Sequence, residues 1–340
     1  MNCQDQIYSE EYSDFIGNRS LIESKYGLDC KQPLGAMFAS LYLKLSDGYE
    51  DGTVYGYYNI PKLFGLQDTG SMEASGILQV RENPDLKLDG SGVLIGFVDT
   101  GIDYAGSIFL KQDGTTRVIA IWDQTIPAES PIRLPELPTT LENITRTPEG
   151  FLYGSEFTHE QLNVAVKMED AYEGISSRDE NGHGTFLASI AAGNELPDGS
   201  FTGAAPKADI AMVKLKPAKN RLRAYYQIKE DAAAYQENDI MAGVLYLVSL
   251  AKKRQQPLVI CLGLGTNAGS HRGSLPLARM LEELGSSVGI TIVAGTGNET
   301  SRGHHFEGQI SSESGYEDVE IRVAEGENGF FLELWASAPE

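Results

Sequence analysis

Apolar residues in this chain gather into short runs closed by glycine turns. The clearest is Val93 to Val98, which ends on Asp99-Thr100-Gly101. A run this short and apolar predicts a strand covered on both faces. Residues 117–122, 210–215, 258–262 and 290–294 predict further strands of the same kind. Between them, residues 186–192, 224–253 and 275–284 predict helices. In the longest of these, Ile240, Val244, Leu247, Val248 and Ala251 share one buried face. Strand alternating with helix predicts an α/β fold, a doubly wound parallel sheet with helices on both faces.

The flanks break this rhythm. Residues 1–66 read as a separable leading segment, with a helix around 13–26, an apolar piece at 34–45, a turn at 47–52 and a strand at 54–60. The Pro-rich passage 127–148 is long for a connection and reads as a surface insertion. Residues 158–172 predict a surface helix in which His159 has no chemical role. From 317 the period drops to two: Val319, Ile321 and Val323 alternate with charges, 325–329 can turn, and 330–335 continue as strand. That predicts a hairpin opening a β-rich unit. The expected organisation is thus a leading segment at 1–66, a main domain at 67–316 and the start of a β-rich insertion at 317–340.

Charge and composition exclude some function classes. The 48 acids against 27 bases give a net charge of -21, which argues against nucleic acid or an anionic membrane as partner. No apolar run approaches the ~18 residues of a membrane span. The amino terminus lacks the layout of a secretory signal. Three scattered cysteines, Cys3, Cys30 and Cys261, suggest a reducing interior. For the same reason the glycosylation pattern at 143–145 is discounted.

Candidate chemistry sits where strands and helices end. Asp99 closes an apolar strand, at the rim where open α/β sheets place their sites; alone it reads equally well as a turn cap. His183 lies between Gly182 and Gly184, with Thr185 able to cap the following helix. Asn298 follows strand 290–294. Acyl transfer needs an acid to orient an imidazole, an imidazole to accept a proton and an amide to stabilise an oxyanion.

Three motifs in this order, Val-Asp-Thr-Gly-Ile at 98–102, Asn-Gly-His-Gly-Thr at 181–185 and Gly-Asn-Glu at 297–299, resemble those of the subtilisin-like serine proteases. The resemblance implies Asp99 as the orienting acid, His183 as general base and Asn298 as oxyanion donor. It also implies that Gly263, Leu264 and Gly265 form the strand that pairs with substrate backbone, and it matches Gly203-Ala-Ala-Pro206 to the family's Gly-x-Ala-Pro turn. Ile60-Pro61, Glu73-Ala-Ser-Gly-Ile77, Ile121-Trp-Asp-Gln-Thr125, the run 177–183, Gly265-Thr-Asn-Ala-Gly-Ser-His271 and Gly303-His-His305 resemble, more narrowly, the clostridial Csp subtilases. That group holds spore germination proteases and catalytically dead relatives. By this resemblance residues 1–66 are a prodomain and 317–340 begin a β-sandwich insertion. The implied partners are a protein or peptide substrate and the chain's own prodomain, with a cytoplasmic or spore-associated location. No cofactor and no metal site are expected; calcium is common among subtilases, but no ligands for it can be named here.

The chain departs from the family at Gly263, where Ser is usual, and at Gly295-Thr296, where Ala-Ala is usual. No Gly-Thr-Ser-Met-Ala-like stretch occurs. Ser301, Ser311, Ser312 and Ser314 follow Asn298 too closely to supply the nucleophile, which is expected beyond Glu340. Loss of that Ser costs subtilisin ~10⁶-fold in kcat, so the 340 residues are expected to be inactive alone. The alternative is a dead protease serving as a binding or signalling module. An aspartic protease built on Asp68 and Asp99 is a remoter reading, because Asp68 follows no apolar strand and such enzymes are two-lobed β proteins. A metal site from His183, His304 and His305 has no supporting ligand spacing.

Overall fold

The structure, a computed structural model, describes residues 3–25, 30–44, 56–66, 88–135, 144–198, 201–298, 303–310, 315–323, 325–327 and 329–336. The leading residues contribute helix α1 (Cys3–Tyr8), strand β1 (Tyr12–Asn18), helix α2 (Arg19–Lys25), and strands β2 (Lys31–Leu34) and β3 (Phe38–Lys44). The strands form an antiparallel sheet in the order β1-β3-β2. The helix expected over 13–26 is therefore half strand. Residues 13–16 are all buried, so β1 is covered on both faces and shows no two-residue period to read. The side chain of Asn18 starts α2 by accepting from the backbone N–H groups of Ser20 and Leu21. The turn expected at 47–52 and residues 54 and 55 of the strand expected over 54–60 lie outside the described residues; Tyr57–Asn59 is a single 3-10 turn, and strand β4 comes later, at Leu63–Leu66.

The main sheet is built from β5 (Leu94–Asp99), β6 (Val118–Asp123), β7 (Ser155–Thr158), β8 (Asp209–Lys214), β10 (Leu258–Leu262) and β12 (Ile290–Ala294). Its order is β12-β10-β5-β8-β6-β7, parallel throughout except for β6–β7. Two short strands outside it, β9 (Tyr235–Gln236) and β11 (Leu264–Gly265), flank β4 in a separate three-stranded sheet. The helices are α3 (His159–Ala165), α4 (Ala171–Gly174), α5 (His183–Ala192), α6 (Asn220–Tyr225), α7 (Glu237–Arg254) and α8 (Pro276–Gly285).

Strand β5 sits inside the main sheet, and its six residues are all buried. Side chains alternate across a strand. Leu94 and Val98 join the core with Val244, Leu247 and Val248 of α7, whereas Ile95 and Phe97 join the opposite core with Leu187, Ala188 and Ala192 of α5. Asp99 falls in step with Ile95 and Phe97, so the same alternation turns its carboxylate towards α5.

Other expectations are refined. The single helix over 224–253 divides into α6, β9 and α7, because only its second half carries the apolar period. α7 is oriented with its macrodipole, with Glu237 and Asp239 in the first turn and Lys252, Lys253 and Arg254 in the last. The helix over 158–172 becomes α3 and α4; Thr158 and Gln161 form a capping box at the start of α3. The passage 127–148 is not purely superficial, since Ile132, Leu134 and Thr145 are buried. The described residues from 315 to 336 pair in no strand, and Val319, Ile321, Val323, Phe330 and Leu332 are exposed. A two-stranded hairpin without a further strand or helix against its apolar face is marginal. Among the described residues, no helix is long and apolar enough to cross a membrane.

Candidate active site

Asp99 and His183 meet. His183 Nδ1 lies 2.7 Å from Asp99 Oδ1, the carboxylate is 1% exposed and the imidazole 13%. An ionised carboxylate can only accept, so Nδ1 carries the proton and the neutral ring keeps its lone pair on Nε2. Asp99 Oδ1 also accepts from Thr100 N at 2.8 Å. Asp99 Oδ2 is buried with no hydrogen-bond partner among the described residues.

Glycine makes this approach possible. Gly182 caps α5 in the left-handed region, φ 87°. A Cβ on Gly184 would stand 2.2 Å from the carbonyl oxygen of Gly101, so only glycine lets α5 press against the turn after β5. Helix α5 starts at His183 itself, and Thr185 lies inside its first turn rather than capping it.

The capping role passes to Asp179. Its Oδ1 accepts from Thr100 Oγ1 at 2.7 Å and Gly182 N at 2.9 Å, and its Oδ2 from Thr185 N at 2.8 Å and Thr185 Oγ1 at 2.7 Å. One carboxylate thus ties the residue after Asp99 to the residues on either side of His183. Burial raises its pKa, but these four donors outweigh burial and hold the group below the usual Asp value. Lys214, opposite Asp99 in the β5–β8 register, braces the same loop from below. It donates to Arg178 O at 2.6 Å and Glu180 Oε2 at 2.9 Å. Sequence reasoning quoted Asp179 within a motif but gave it no role; its position four residues before a Gly-flanked His at a helix start was the available signal.

Gly263 lies against the pair. A Cβ there would be 3.2 Å from His183 Cε1 and 3.3 Å from Asp99 Oδ2, but only 2.2 Å from Leu187 Cδ1. Leu187 fills the space that a larger residue at 263 would need. Leu264 and Gly265 continue from it as β11, antiparallel to Leu66 and Gly65 of β4. On the other side of β4, Leu63 pairs with Gln236 and Phe64 with Tyr235. A strand of the leading segment therefore lies between β9 and β11, with Leu66 opposite Leu264, the residue after Gly263. Buried Glu237 secures the start of β4, accepting from Lys62 N at 3.2 Å and Leu277 N at 3.0 Å. Burial, and then the charges of Asp99, Asp179 and Glu180, push the Tyr235 hydroxyl up to about 12.

Asn298 lies four residues beyond the carboxyl end of β12. It is exposed, and its side chain makes no hydrogen bond among the described residues. Its strand runs parallel to β10, with Ala294 opposite Leu262, so Asn298 and Gly263 follow adjacent strand ends. The three groups are not brought into one contact: Asp99 and His183 touch, and Asn298 follows an adjoining strand end. His305 stacks on His271, ring centroids 4.9 Å apart. Among the described residues no group of three or more His, Cys, Asp or Glu side chains could hold a metal ion. Asp68, Ser301, Ser311, Ser312 and Ser314 lie outside the described residues.

Known proteins resemble this chain in sequence and in fold. The sequence profile of the subtilase family, Peptidase_S8, matches residues 90–321. Subtilisin-like protease SBT3.8 of Arabidopsis thaliana is 31% identical over 133 residues, covering 37% of this chain and 16% of the plant protein. Subtilisin-like protease SBT3.1 of the same plant is 32% identical over 143 residues, with the same coverage of each. The structure of the Clostridium perfringens CspB protease matches with a TM-score of 0.51 at 31% identity, over 67% of this chain and 41% of that one. The chain thus spans 16% of the length of these plant relatives. The profile takes in β5, α5 and β12 with the residues that follow each, and the chain belongs to the subtilase family.

Proposed function

We propose that the protein is a serine endopeptidase of the subtilisin type, and that these 340 residues carry the acid and the base of its triad. Asp99 orients and stabilises the imidazole. His183 takes a proton on Nε2 from a serine hydroxyl as that oxygen attacks a peptide carbonyl, then returns it to the leaving amine. Asn298 donates to the oxyanion, and Gly263, Leu264 and Gly265 pair with the backbone of a protein or peptide substrate. The contact between His183 Nδ1 and Asp99 Oδ1 carries the reading, because a carboxylate accepting from Nδ1 leaves Nε2 to take a proton. The serine comes from sequence after residue 340, since no Gly-Thr-Ser-Met-Ala-like stretch occurs among these residues. The 340 residues alone do not turn over peptides.

Residues 1–66 act as the prodomain, and β4 mimics a bound substrate strand; its antiparallel pairing on both sides supports this. The motif resemblance to the Csp subtilases, a group that holds spore germination proteases, supports a role in spore germination and a cytoplasmic or spore-associated location.

The test is fluorophosphonate labelling of the complete gene product and of residues 1–340. Labelling of one serine in the complete protein, lost in His183→Ala, and none in residues 1–340, is expected. Absence of labelling in the complete protein refutes the reading and leaves a binding or signalling module.

A further inference from the structure

Away from the Asp99–His183 pair, the leading segment meets the rest of the chain around one buried carboxylate. Asp14, in β1, has its side chain 1% exposed, and its partner Lys219 is 5% exposed. Lys219 donates to Asp14 Oδ1 and also reaches Tyr12 O at 3.1 Å and Gln6 O at 3.3 Å. Asp14 Oδ2 accepts from Gln236 Nε2 at 2.8 Å and Asn238 Nδ2 at 3.1 Å. All three donors come from residues 219–238, so one carboxylate of the leading segment takes an ammonium and two amides from the peptidase unit. The set is reinforced where Gln236 Oε1 accepts from Lys219 N at 2.8 Å and Lys219 Nζ lies 5.7 Å from the Tyr42 ring centroid. Around it, Ile7, Ile16, Leu34 and Tyr42 share a core with Tyr246, Leu247 and Val248 of α7.

Apolar burial supplies attraction but little register, because it is non-directional. A buried carboxylate with three fitted donors supplies register, because any displacement leaves it charged and unpaired. Gln236 extends the consequence to the groove: its side chain binds Asp14 while its backbone pairs with Leu63 of β4.

We propose that Asp14 is the anchor that sets the register in which the peptidase unit holds residues 3–44, its three donors rather than the surrounding apolar contacts deciding how tightly that segment docks. The partner of the Lys219–Gln236–Asn238 surface is thus the chain's own amino-terminal segment. The proposal rests on the reading of residues 1–66 as separable, and it needs no catalysis by this chain. Failure of the protease reading would therefore leave it standing.

The experiment inserts the recognition sequence of a site-specific protease between residues 76 and 77 of the 340-residue chain, cuts the purified protein, and measures release of the amino-terminal fragment. The cut wild-type chain should elute as one species. Asp14→Ala and Lys219→Met should each weaken the association roughly 100-fold or more, since each strands a buried charge. Removing both charges, in Asp14→Asn with Lys219→Met, should recover at least about 10-fold relative to Lys219→Met alone. Circular dichroism of the uncut variants checks folding. If Asp14→Ala does not fold even uncut, the isosteric Asp14→Asn and the Lys219→Met pair decide the matter. Release of the fragment from the cut wild-type chain overturns the proposal. So does unchanged affinity in Asp14→Ala, or strictly additive effects of the two charge removals.

Discussion

Replacing Asp179 by Asn tests whether one carboxylate sets the geometry of the Asp99–His183 pair. Each oxygen of Asp179 accepts from one backbone N–H and one hydroxyl: Gly182 N and Thr100 Oγ1 at Oδ1, Thr185 N and Oγ1 at Oδ2. In Asn, whichever way the amide turns, its NH₂ faces one of those backbone N–H groups. The hydroxyl beside it can rotate and accept, but the N–H cannot. One partly buried N–H then lacks a partner, at about 1–3 kcal/mol, and the bonds that remain lose the assistance of the charge. The sum is about 2–4 kcal/mol, or a melting temperature lower by roughly 5–10 °C. The sign with pH follows from the depressed pKa of Asp179. Its stabilisation is present above the unfolded carboxylate value of about 4 and is lost as pH falls through the lower folded value, so wild type and variant converge in acid. The assay is thermal unfolding from pH 3 to 7, with proton NMR of the His183 Nδ1–H. Equal melting temperatures at pH 7 together with an unchanged Nδ1 proton would refute the argument.

Gly184→Ala places a methyl 2.2 Å from Gly101 O, a backbone atom with no room to yield, and should cost about 3 kcal/mol or more in urea unfolding and displace His183 from Asp99. Gly263→Ser collides with Leu187 Cδ1 and should destabilise by about 1–3 kcal/mol. Adding Leu187→Val should recover most of that loss and bring a hydroxyl beside Asp99 Oδ2, which unfolding midpoints of both variants would register. Lys214→Met removes the donor to Arg178 O and Glu180, so hydrogen exchange across residues 178–182 should accelerate while the β5–β8 amides stay protected.

The parts legible in the sequence were those fixed by local pattern. Strands β5, β8, β10 and β12 lie within one residue of their apolar runs, because strands covered on both faces need continuous apolar sequence. Asp99 and His183 stood out through the motifs at 98–102 and 181–185 that resemble the subtilisin-like serine proteases; local pattern alone left Asp99 equally a turn cap. The remainder depends on contacts distant in sequence. Nothing near Asp14 announces that its partners are Lys219, Gln236 and Asn238, more than two hundred residues away. β1 looked helical because its pairing with β3 and its cover by α7 are both tertiary. β9 hid inside a long helical-looking stretch because two residues are too few to show a period. Asp179 escaped because its role lies in four hydrogen bonds rather than in its own chemistry.

Strand β4 has a kinetic consequence for anything that approaches the groove between β9 and β11. It is part of the same polypeptide as both of its neighbours, so an incoming peptide competes with an intramolecular rival. Tethering gives such a rival an effective concentration set by the length and stiffness of its connection. A peptide with the same intrinsic affinity would need to approach that concentration to displace half of β4. Traffic through the groove is then limited by how often β4 lifts away, and a change that loosens β4 would speed access without altering any residue that touches the incoming peptide.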